Sequence, residues 1–386
     1  MKFLHLGDLH IGKVLNGRSM IEDQSYILQQ VIDLVKAEDI RLVVIAGDLY
    51  DRSIPSIEAI ELLNTFLDVL INLLSIKVCI ISGNHDSAER LSFASSILKD
   101  KGLIIETTIQ KEISNYILND QYGDICFHLV PYFKPSKIKM LFDNQEIKTY
   151  QDALQYYLKQ NQTVFLDGKR HVLVTHQFFS GKTASLTSES ELPLSVGGAE
   201  IIDASIVKDF DYVALGHLHA PQSVGYSHIR YSGSLLKYSI DEAKQHKSVC
   251  IVNMLEKGNL TIEKRELRPL RDIRVLTGYF DDIMKQKQGN LEDYVAFILN
   301  DETMITNAMD RARSVYPNAL MITYLMYQQQ LEQSNDIDFV DVQKKSDEEL
   351  FSIFYQQVTG VEFNEDKEKL FLELLDEYRR VKDDEN

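Results

Sequence analysis

Five short segments of the chain carry side chains suited to holding metal ions. They are Asp8-Leu9-His10, Gly47-Asp48-Leu49-Tyr50-Asp51, Gly83-Asn84-His85-Asp86, Thr175-His176 and Gly216-His217-Leu218-His219. The donors comprise two carboxylates (Asp8, Asp48), one amide (Asn84) and four imidazoles (His10, His176, His217, His219), with no thiolate. Such a set suits borderline-to-hard divalent ions such as manganese, iron or zinc better than copper or an iron–sulfur cluster. Two dications bring about +4 and the two carboxylates about −2, so neutral histidine ligands leave a local excess of about +2. A phosphate group is the natural guest. A metal pair about 3.5 to 4 Å apart activates water and stabilises charge on phosphoryl oxygens.

Each motif alone has an ordinary structural reading, as a turn or a pair of loop histidines. The five together, in this order and each at the end of an expected strand, point to one site. Residues two apart in an extended segment face the same way, so Asp8 with His10 and His217 with His219 are expected to share a pocket, with Leu9 and Leu218 turned into the core. Gly7, Gly47, Gly83 and Gly216 precede donor residues, where a strand breaking into a ligand loop needs unusual dihedrals and close approach. His5, His128, His171, His228 and His246 lack this context and are read as structural or surface residues.

The elements that must position these residues are readable from apolar patterning. Lys2 to Leu6, Leu42 to Ala46, Val78 to Ser82, Val172 to Thr175 and Tyr212 to Leu215 are short runs suited to strands covered on both faces. Ile27, Val31, Leu34 and Val35 form one helical stripe, and Ile60, Leu63, Phe66, Leu67 and Leu70 a second. Strand and helix in alternation imply a layered α/β domain, and open α/β sheets gather ligands at the carboxyl ends of their strands. From Ile125 the texture changes: Ile125 to Tyr132, Val224 to Leu235, Val249 to Met254 and Leu260 to Leu267 suggest a second sheet packed on the first. After Pro269, the segments Ile273 to Tyr279, Tyr294 to Leu299 and Leu320 to Met326 suggest a small α/β module with an intervening helix. Gln333 to Lys345 reads as a linker.

The last forty or so residues read as a helical hairpin. Ser346 with Glu349 makes a capping box, Gly360 a stop and Asn364 a second cap. Its apolar stripes contain Leu350, Phe354 and Val358, then Leu370, Leu374 and Tyr378. Two short helices cannot bury both stripes against each other alone.

Composition sets outer limits. At 386 residues, with 44% hydrophobic residues, the chain suits one large domain plus appendages. Cys79, Cys126 and Cys250 are far apart in apolar runs, so buried thiols are expected rather than a disulfide framework or a thiolate zinc site. There is no apolar run of membrane-spanning length, and the first residues carry ionisable groups too early for a signal peptide, so a cytoplasmic location is expected. The net charge of −17 argues against a free-standing DNA binder, because phosphate neutralisation dominates such affinity, but metal ions and a basic partner reverse it locally.

The order D-x-H, G-D-x-x-D, G-N-H-D, H and G-H-x-H resembles the calcineurin-like metallophosphoesterase superfamily. The segments DLHIGK, AGDLYDRSIPS, SGNHDSAERL, THQFFSG, ALGHLHAPQ and YSGSLLKYS resemble more closely still the SbcD family of bacterial double-strand-break repair nucleases. The resemblance runs through essentially the whole chain and is most specific in the first 240 residues. It implies that Asp8, His10, Asp48 and His219 hold one metal and that Asp48, Asn84, His176 and His217 hold the other, with Asp48 bridging. His85 then stands beside the scissile phosphate, with Asp51 orienting it through the far ring nitrogen, Arg52 contacting phosphate and Asp86 stabilising the loop. The implied ions are two divalent metals, manganese first, with magnesium, iron or zinc as alternatives.

The resemblance also implies the architecture. The fold class is α/β: a two-sheet layered metallophosphoesterase domain flanked by helices (residues 1–267), a small α/β capping domain (268–335), a linker (336–345) and a helix-loop-helix (346–386) that docks on the coiled coil of an SbcC-type ATPase. A homodimer within a heterotetramer, DNA as substrate and no membrane complete the implied picture: duplex exonuclease and single-strand or hairpin endonuclease activity in repair, recombination and replication. The competing readings are a phosphatase or cyclic-nucleotide phosphodiesterase with the same metal motifs, and a noncatalytic scaffold that has lost its site. The SbcD-like segments between motifs weigh against the first, and the filled donor positions against the second.

Overall fold

Short apolar runs alternating with amphipathic helices become two stacked sheets in the computed structural model, which describes residues 1–161, 168–181, 185–191, 200–326, 351, 352, 355, 363, 364, 367–369, 371 and 372. The chain divides into two units, Met1–Arg274 and Val275–Asn386. In the first unit, β1 (Lys2–Leu6), β2 (Ile40–Ala46), β3 (Lys77–Ile81) and β4 (Leu103–Glu106) lie side by side and parallel. The second sheet contains β5 (Ser114–Asp120), β6 (Gly123–Val130), β7 (Arg170–His176), β8 (Tyr212–Gly216), β9 (Gln222–Val224) and β10 (Tyr226–Tyr231). Its order is β9-β10-β8-β7-β6-β5, with β6, β7, β8 and β10 parallel.

The allocation of strands differs from the sequence expectation. β7 and β8, expected beside the amino-terminal strands, belong to the second sheet, while β11 (Ser248–Met254) and β12 (Leu260–Glu266) return to the first. β11 pairs antiparallel with β1, with Leu4 opposite Ile251. Apolar patterning tells which strands are covered on both faces but not which sheet covers them, since both sheets are buried alike.

The layer between the sheets contains Phe3, Leu42, Val44, Ala46, Cys79 and Ile81 from one side and Ile125, Phe127, Leu129, Val172, Val174 and Tyr212 from the other. The next residue along each strand faces outward. Leu173, Val213, Leu215 and Ile229 pack there with Leu154 and Tyr157 of the helix Tyr150–Gln160. Helix α1 (Ile21–Ala37) buries Ile27, Val31 and Val35 as expected, and α2 (Ile57–Asp68) buries Ala59, Leu63 and Phe66. Ile60 is 47% exposed: the buried stripe of α2 begins one position earlier, at Ala59.

A three-stranded sheet, β13 (Ile273–Gly278, which starts at the end of the first unit), β14 (Tyr294–Leu299) and β15 (Ala319–Tyr324), makes up most of the second unit with helices Phe280–Gln286 and Ala308–Arg313. Phe280, Val295, Phe297, Leu299 and Tyr316 make its core. Of the expected hairpin, Phe351 and Phe371 are among the described residues, their rings stacked 4.1 Å apart. Leu350, Phe354, Val358, Leu370, Leu374 and Tyr378, together with the expected linker, lie outside the described residues.

One ion pair ties the amino end of β7 to the β5–β6 hairpin. The buried guanidinium of Arg170 donates to both Asp120 carboxylate oxygens, at 2.5 and 3.2 Å, and to the carbonyls of Gly123 and Leu255. Burial by itself raises the Asp120 carboxyl, but Arg170 and the amino-terminal ammonium outweigh it and hold it well below the usual range. A depressed carboxyl pKa contributes stability above the unfolded value of about 3.9 and loses it as pH falls toward the folded value. Asp120→Asn is therefore expected to cost about 3 kcal/mol at pH 7, as for other broken buried pairs. Urea unfolding should show that deficit shrinking below about pH 4; a deficit constant with pH would mean that the carboxylate charge is not its source.

Candidate metal centre

The strand register brings the motif residues level. Ala46 pairs with Ile81 in the first sheet, and His176 with Gly216 in the second. The motifs following β1, β2, β3 and β8 thus open at one end of the sandwich, with His176 at the tip of β7. The two sheets touch there: His176 Nδ1 donates to the Ala46 carbonyl at 2.7 Å. A Cβ at Gly216 would collide with that same carbonyl, and one at Gly83 with the Asp48 side chain and amide. These two glycines supply room rather than unusual dihedrals.

The donors converge by a route other than strand alternation. β1 stops at Leu6, and Asp8 (φ +54°), His10 (φ +43°) and Asp48 (φ +51°) adopt left-handed backbone, while His217 has φ +113°. Asp8 and His10 are therefore brought together by turns, held by Asp8 N–H to Gly47 O (3.1 Å) and His10 N–H to Asp48 O (2.9 Å). Leu9 and Leu218 are buried, as expected. Non-glycine residues in this region store backbone strain, which a site keeps only when its surroundings over-determine it.

All seven candidate donors meet around a cavity of about 410 Å³, or in the floor beneath it; His10, Asp48, Asn84, His85, His217 and His219 are among its lining residues. His10 Nε2 stands 3.1 Å from His219 Nε2 and 3.6 Å from Asp48 Oδ2. His176 Nε2 is 3.3 Å from Asp48 Oδ2 and 3.0 Å from Asn84 Oδ1, which is also 3.2 Å from His217 Nδ1. Asp8 Oδ1 accepts from the His217 N–H at 2.9 Å. Two donor groups stand out by proximity, Asp8-His10-His219 and Asp8-Asp48-His176.

The surroundings fix which ring nitrogen faces inward. A carbonyl only accepts, so His176 Nδ1 carries hydrogen toward Ala46 O and His85 Nδ1 carries hydrogen toward Asp51 O at 3.0 Å. His219 Nδ1 lies 3.0 Å from Glu242 Oε1 and 2.9 Å from Ser190 Oγ, which likewise frees Nε2. Burial holds the His10 imidazole well below its ordinary range, lowers His219 despite the pull of Glu242, and together with His176 pushes His217 down to about 3. Three of the four rings are thus held neutral, as metal ligation requires. Burial also pulls His176 down, but Asp48 and Asp8 outweigh it and bring the ring to about 9. Burial raises both Asp8 and Asp48; it prevails at Asp8, whereas the histidines around Asp48 hold that carboxyl well below its ordinary range.

This charge pattern fits a bound cation. With Nδ1–H committed to Ala46, His176 Nε2 faces two acceptors, Asp48 Oδ2 and Asn84 Oδ1, and only an added proton or a metal ion reconciles them. The buried Asp8 Oδ2 has no hydrogen-bond partner among the described residues. Oxygen and imidazole donors with no sulfur suit divalent metals.

Two expected roles take a different form. Asp51 meets His85 through its main-chain carbonyl, not its carboxylate, which instead pairs with Lys13 at 2.9 Å and stands 3.8 Å from His10 Nδ1. Arg52 is outside the cavity lining, with its side chain 73% exposed. Asp86 accepts from the amides of Gly83, Leu49 and Tyr50, the loop-stabilising part expected of it, and burial beside Asp48 raises its carboxyl to about 6.

Sequence reasoning missed the residues behind the donors. Gln24 donates to His10 O at 2.7 Å, and Tyr238 OH donates to Leu9 O. Glu242 is fully buried and gathers His219 Nδ1, Ser190 Oγ (2.7 Å), Ser239 Oγ (3.0 Å) and Lys247 Nζ (2.6 Å). Lys247 Nζ also donates to His219 O at 2.9 Å, and Glu191 accepts from His219 N–H. A glutamate and a lysine five apart in a polar stretch read as surface; the nearby segment YSGSLLKYS carries the family resemblance without an expected role. Glu242→Gln removes the charge that balances Lys247 and weakens the hold on His219. It is expected to lower divalent-metal affinity about 10- to 100-fold. Titration calorimetry of the metal-free protein checks this, and unchanged affinity would mean that His219 is held without the carboxylate.

The calcineurin-like phosphoesterase family matches residues 1–221, and the family described as Type 5 capsule protein repressor C-terminal domain matches residues 269–359. A Staphylococcus saprophyticus protein named as the SbcD component of the nuclease SbcCD is 35% identical over 383 residues, covering 98% of this chain and 99% of that one. Its Staphylococcus epidermidis namesake is 36% identical over 361 residues, 93% of this chain and 94% of that one. A solved dimetal phosphatase from Danio rerio is 12% identical with a TM-score of 0.39, covering 69% of this chain and 96% of that one. On the family match and the near full-length identity to curated relatives, the chain belongs to the calcineurin-like phosphoesterases and, among them, to the SbcD nuclease subunits.

Proposed function

We propose that the chain is the nuclease subunit of an SbcCD-type complex and hydrolyses DNA phosphodiester bonds at a dinuclear centre of divalent metals. The observation that carries this reading is the meeting of five oxygen and nitrogen donors with His85 at one cavity, with Asp8 and His176 grouped against them. Asp8, His10, Asp48 and His219 would hold one ion and Asp48, Asn84, His176 and His217 the other, with Asp48 shared. Manganese is the first choice of metal. When bound, the pair supplies an activated water and charge stabilisation on the phosphoryl oxygens.

The chain's own residues contribute orientation and proton transfer. His85 is half-buried at the cavity wall, its ring 4.8 Å from that of His10. With Nδ1–H tied to the Asp51 carbonyl, Nε2 is free to hydrogen-bond the reacting phosphate or to transfer a proton to the leaving oxygen. Tyr132, Tyr150 and Phe178 line the same cavity and offer apolar contact to a nucleotide. Arg52, exposed and next to Asp51 in the chain, is the candidate phosphate contact. The excess of acidic residues leaves nonspecific phosphate binding to such local features and to a partner.

The wider assignment follows the curated relatives, whose names place them in the SbcCD nuclease. We assign duplex exonuclease activity with an ATPase partner of the SbcC type, and single-strand and hairpin endonuclease activity, in repair, recombination and replication. The assembly is a homodimer within a heterotetramer, acting in the cytoplasm on the nucleoid. No helix among the described residues is long and apolar enough to cross a membrane. Residues 268–335 act as the capping domain and 346–386 dock on the ATPase coiled coil.

His85→Ala is expected to retain both metals and lose DNA cleavage by about 10²- to 10⁴-fold, the usual worth of a positioned acid or base. Metal analysis by mass spectrometry beside a manganese nuclease assay reads both quantities; loss of metal or near-wild-type cleavage would sink the assignment. Removal of residues 340–386 is expected to abolish copurification with the ATPase while sparing manganese-dependent cleavage of single-stranded DNA. Undiminished partner binding would show that the segment serves internal packing instead.

A further inference from the structure

Near the opposite end of β7 from the metal centre stands a second cluster of ligating side chains. Cys126 and His128 alternate with Ile125, Phe127 and Leu129 on β6, so they project from the outer face of the second sheet. His171 on β7 is in register with Cys126 and projects from the same face. All three are buried, and one ligand atom from each lies within 4.8 Å of the other two. His171 is five residues before His176, about 16 Å away along a strand. β6 and β7 are interior strands, so the three groups rest on rigid backbone.

We propose that Cys126, His128 and His171 form a separate single-ion site for a thiophilic monovalent cation, Cu(I). The spacing is that of co-ligands. His128 Nε2 and His171 Nδ1 are 2.9 Å apart, as His10 and His219 in the phosphoesterase centre are 3.1 Å apart. Nitrogens on one ion at about 2.0 Å stand roughly 3.3 to 3.5 Å from each other, so the rings need part about half an ångström. As the ion enters, the hydrogen between the two rings moves to the other nitrogen of its own ring, so both imidazoles stay neutral, and the thiol proton is released to solvent. One thiolate and two imidazoles are a soft donor set, unlike the oxygen-rich set of the phosphoesterase centre. Charge selects within that class: Cu(I) with one thiolate is neutral, whereas a divalent ion would leave a net positive charge in a buried layer walled by Phe210, whose ring lies 5.7 Å from that of His128.

The test titrates the full-length protein without oxygen, using Cu(I) delivered from a chromophoric Cu(I) chelator, and reads the coordination shell by X-ray absorption. One Cu(I) per chain with one sulfur and two nitrogens is expected. Cys126→Ser should lose the sulfur and bind at least about a hundredfold more weakly, because a hydroxyl is a poor ligand for a soft ion. Cys79→Ser and Cys250→Ser, at thiols in other parts of the core, should leave binding unchanged. A sulfur-free shell in the wild-type protein overturns the proposal however the variants fold, and so does a folded Cys126→Ser protein that binds like wild type. Manganese stoichiometry, measured in parallel, reports on the phosphoesterase centre independently.

Discussion

Ala46 and His176 lie on different sheets, and the hydrogen bond between the His176 ring and the Ala46 carbonyl is where those sheets meet. Its short span requires that Gly216 and Gly83 have no side chain, since a Cβ at either would fill space already taken by Ala46 or Asp48. Once the strand ends are that close, donors more than two hundred residues apart in sequence share one pocket. The same bond commits Nδ1 of His176 and turns Nε2 toward Asp48 and Asn84. Sheet packing and ligand tautomer are therefore set by one contact.

Buried charge holds the other side of the centre. Glu242 and Lys247 are both buried and face each other at 2.6 Å, and each also touches His219. A buried pair of this kind is weak support for stability but strong support for geometry, since either partner left alone is costly. Burial and the His219 and Lys247 contacts act in opposite directions on Glu242, and the contacts prevail, keeping its carboxyl ionised and able to fix the His219 hydrogen. The protein thus uses part of its charge internally while its surface carries the acidic excess.

The chemistry of the centre was more legible in the sequence than its geometry. Asp8, His10, Asp48, Asn84, His176, His217 and His219 were readable because donor types at strand ends are a local signal. Their convergence was expected as well, but not by the route it takes, because alternation in an extended segment does not operate where Asp8, His10 and Asp48 are left-handed. Strands β7 and β8 were readable as buried but not as members of the second sheet, because burial on both faces is common to both sheets. Ile60 entered the α2 stripe on spacing alone, whereas Ala59, small enough to sit against its neighbours, takes the buried position. Glu242 and Lys247 were invisible for a related reason, since charged residues signal surface until the fold places them opposite each other. The orienting contact of Asp51 comes from its backbone, and side-chain chemistry does not announce a carbonyl.

The left-handed residues also bear on how this domain can change. At Asp8, His10 and Asp48 the backbone adopts a conformation that costs a non-glycine residue of order 1 kcal/mol or more. A glycine at any of the three would relax that cost while deleting a donor. A change made for stability alone at these positions would therefore remove a candidate donor, so the backbone's preference and the donor set are opposed there. Consensus or cavity-filling stabilisation can proceed through α2 and the carboxyl-terminal half of α1 without touching this conflict. The loops after β1 and β2 are where thermal robustness and the proposed metal centre would compete.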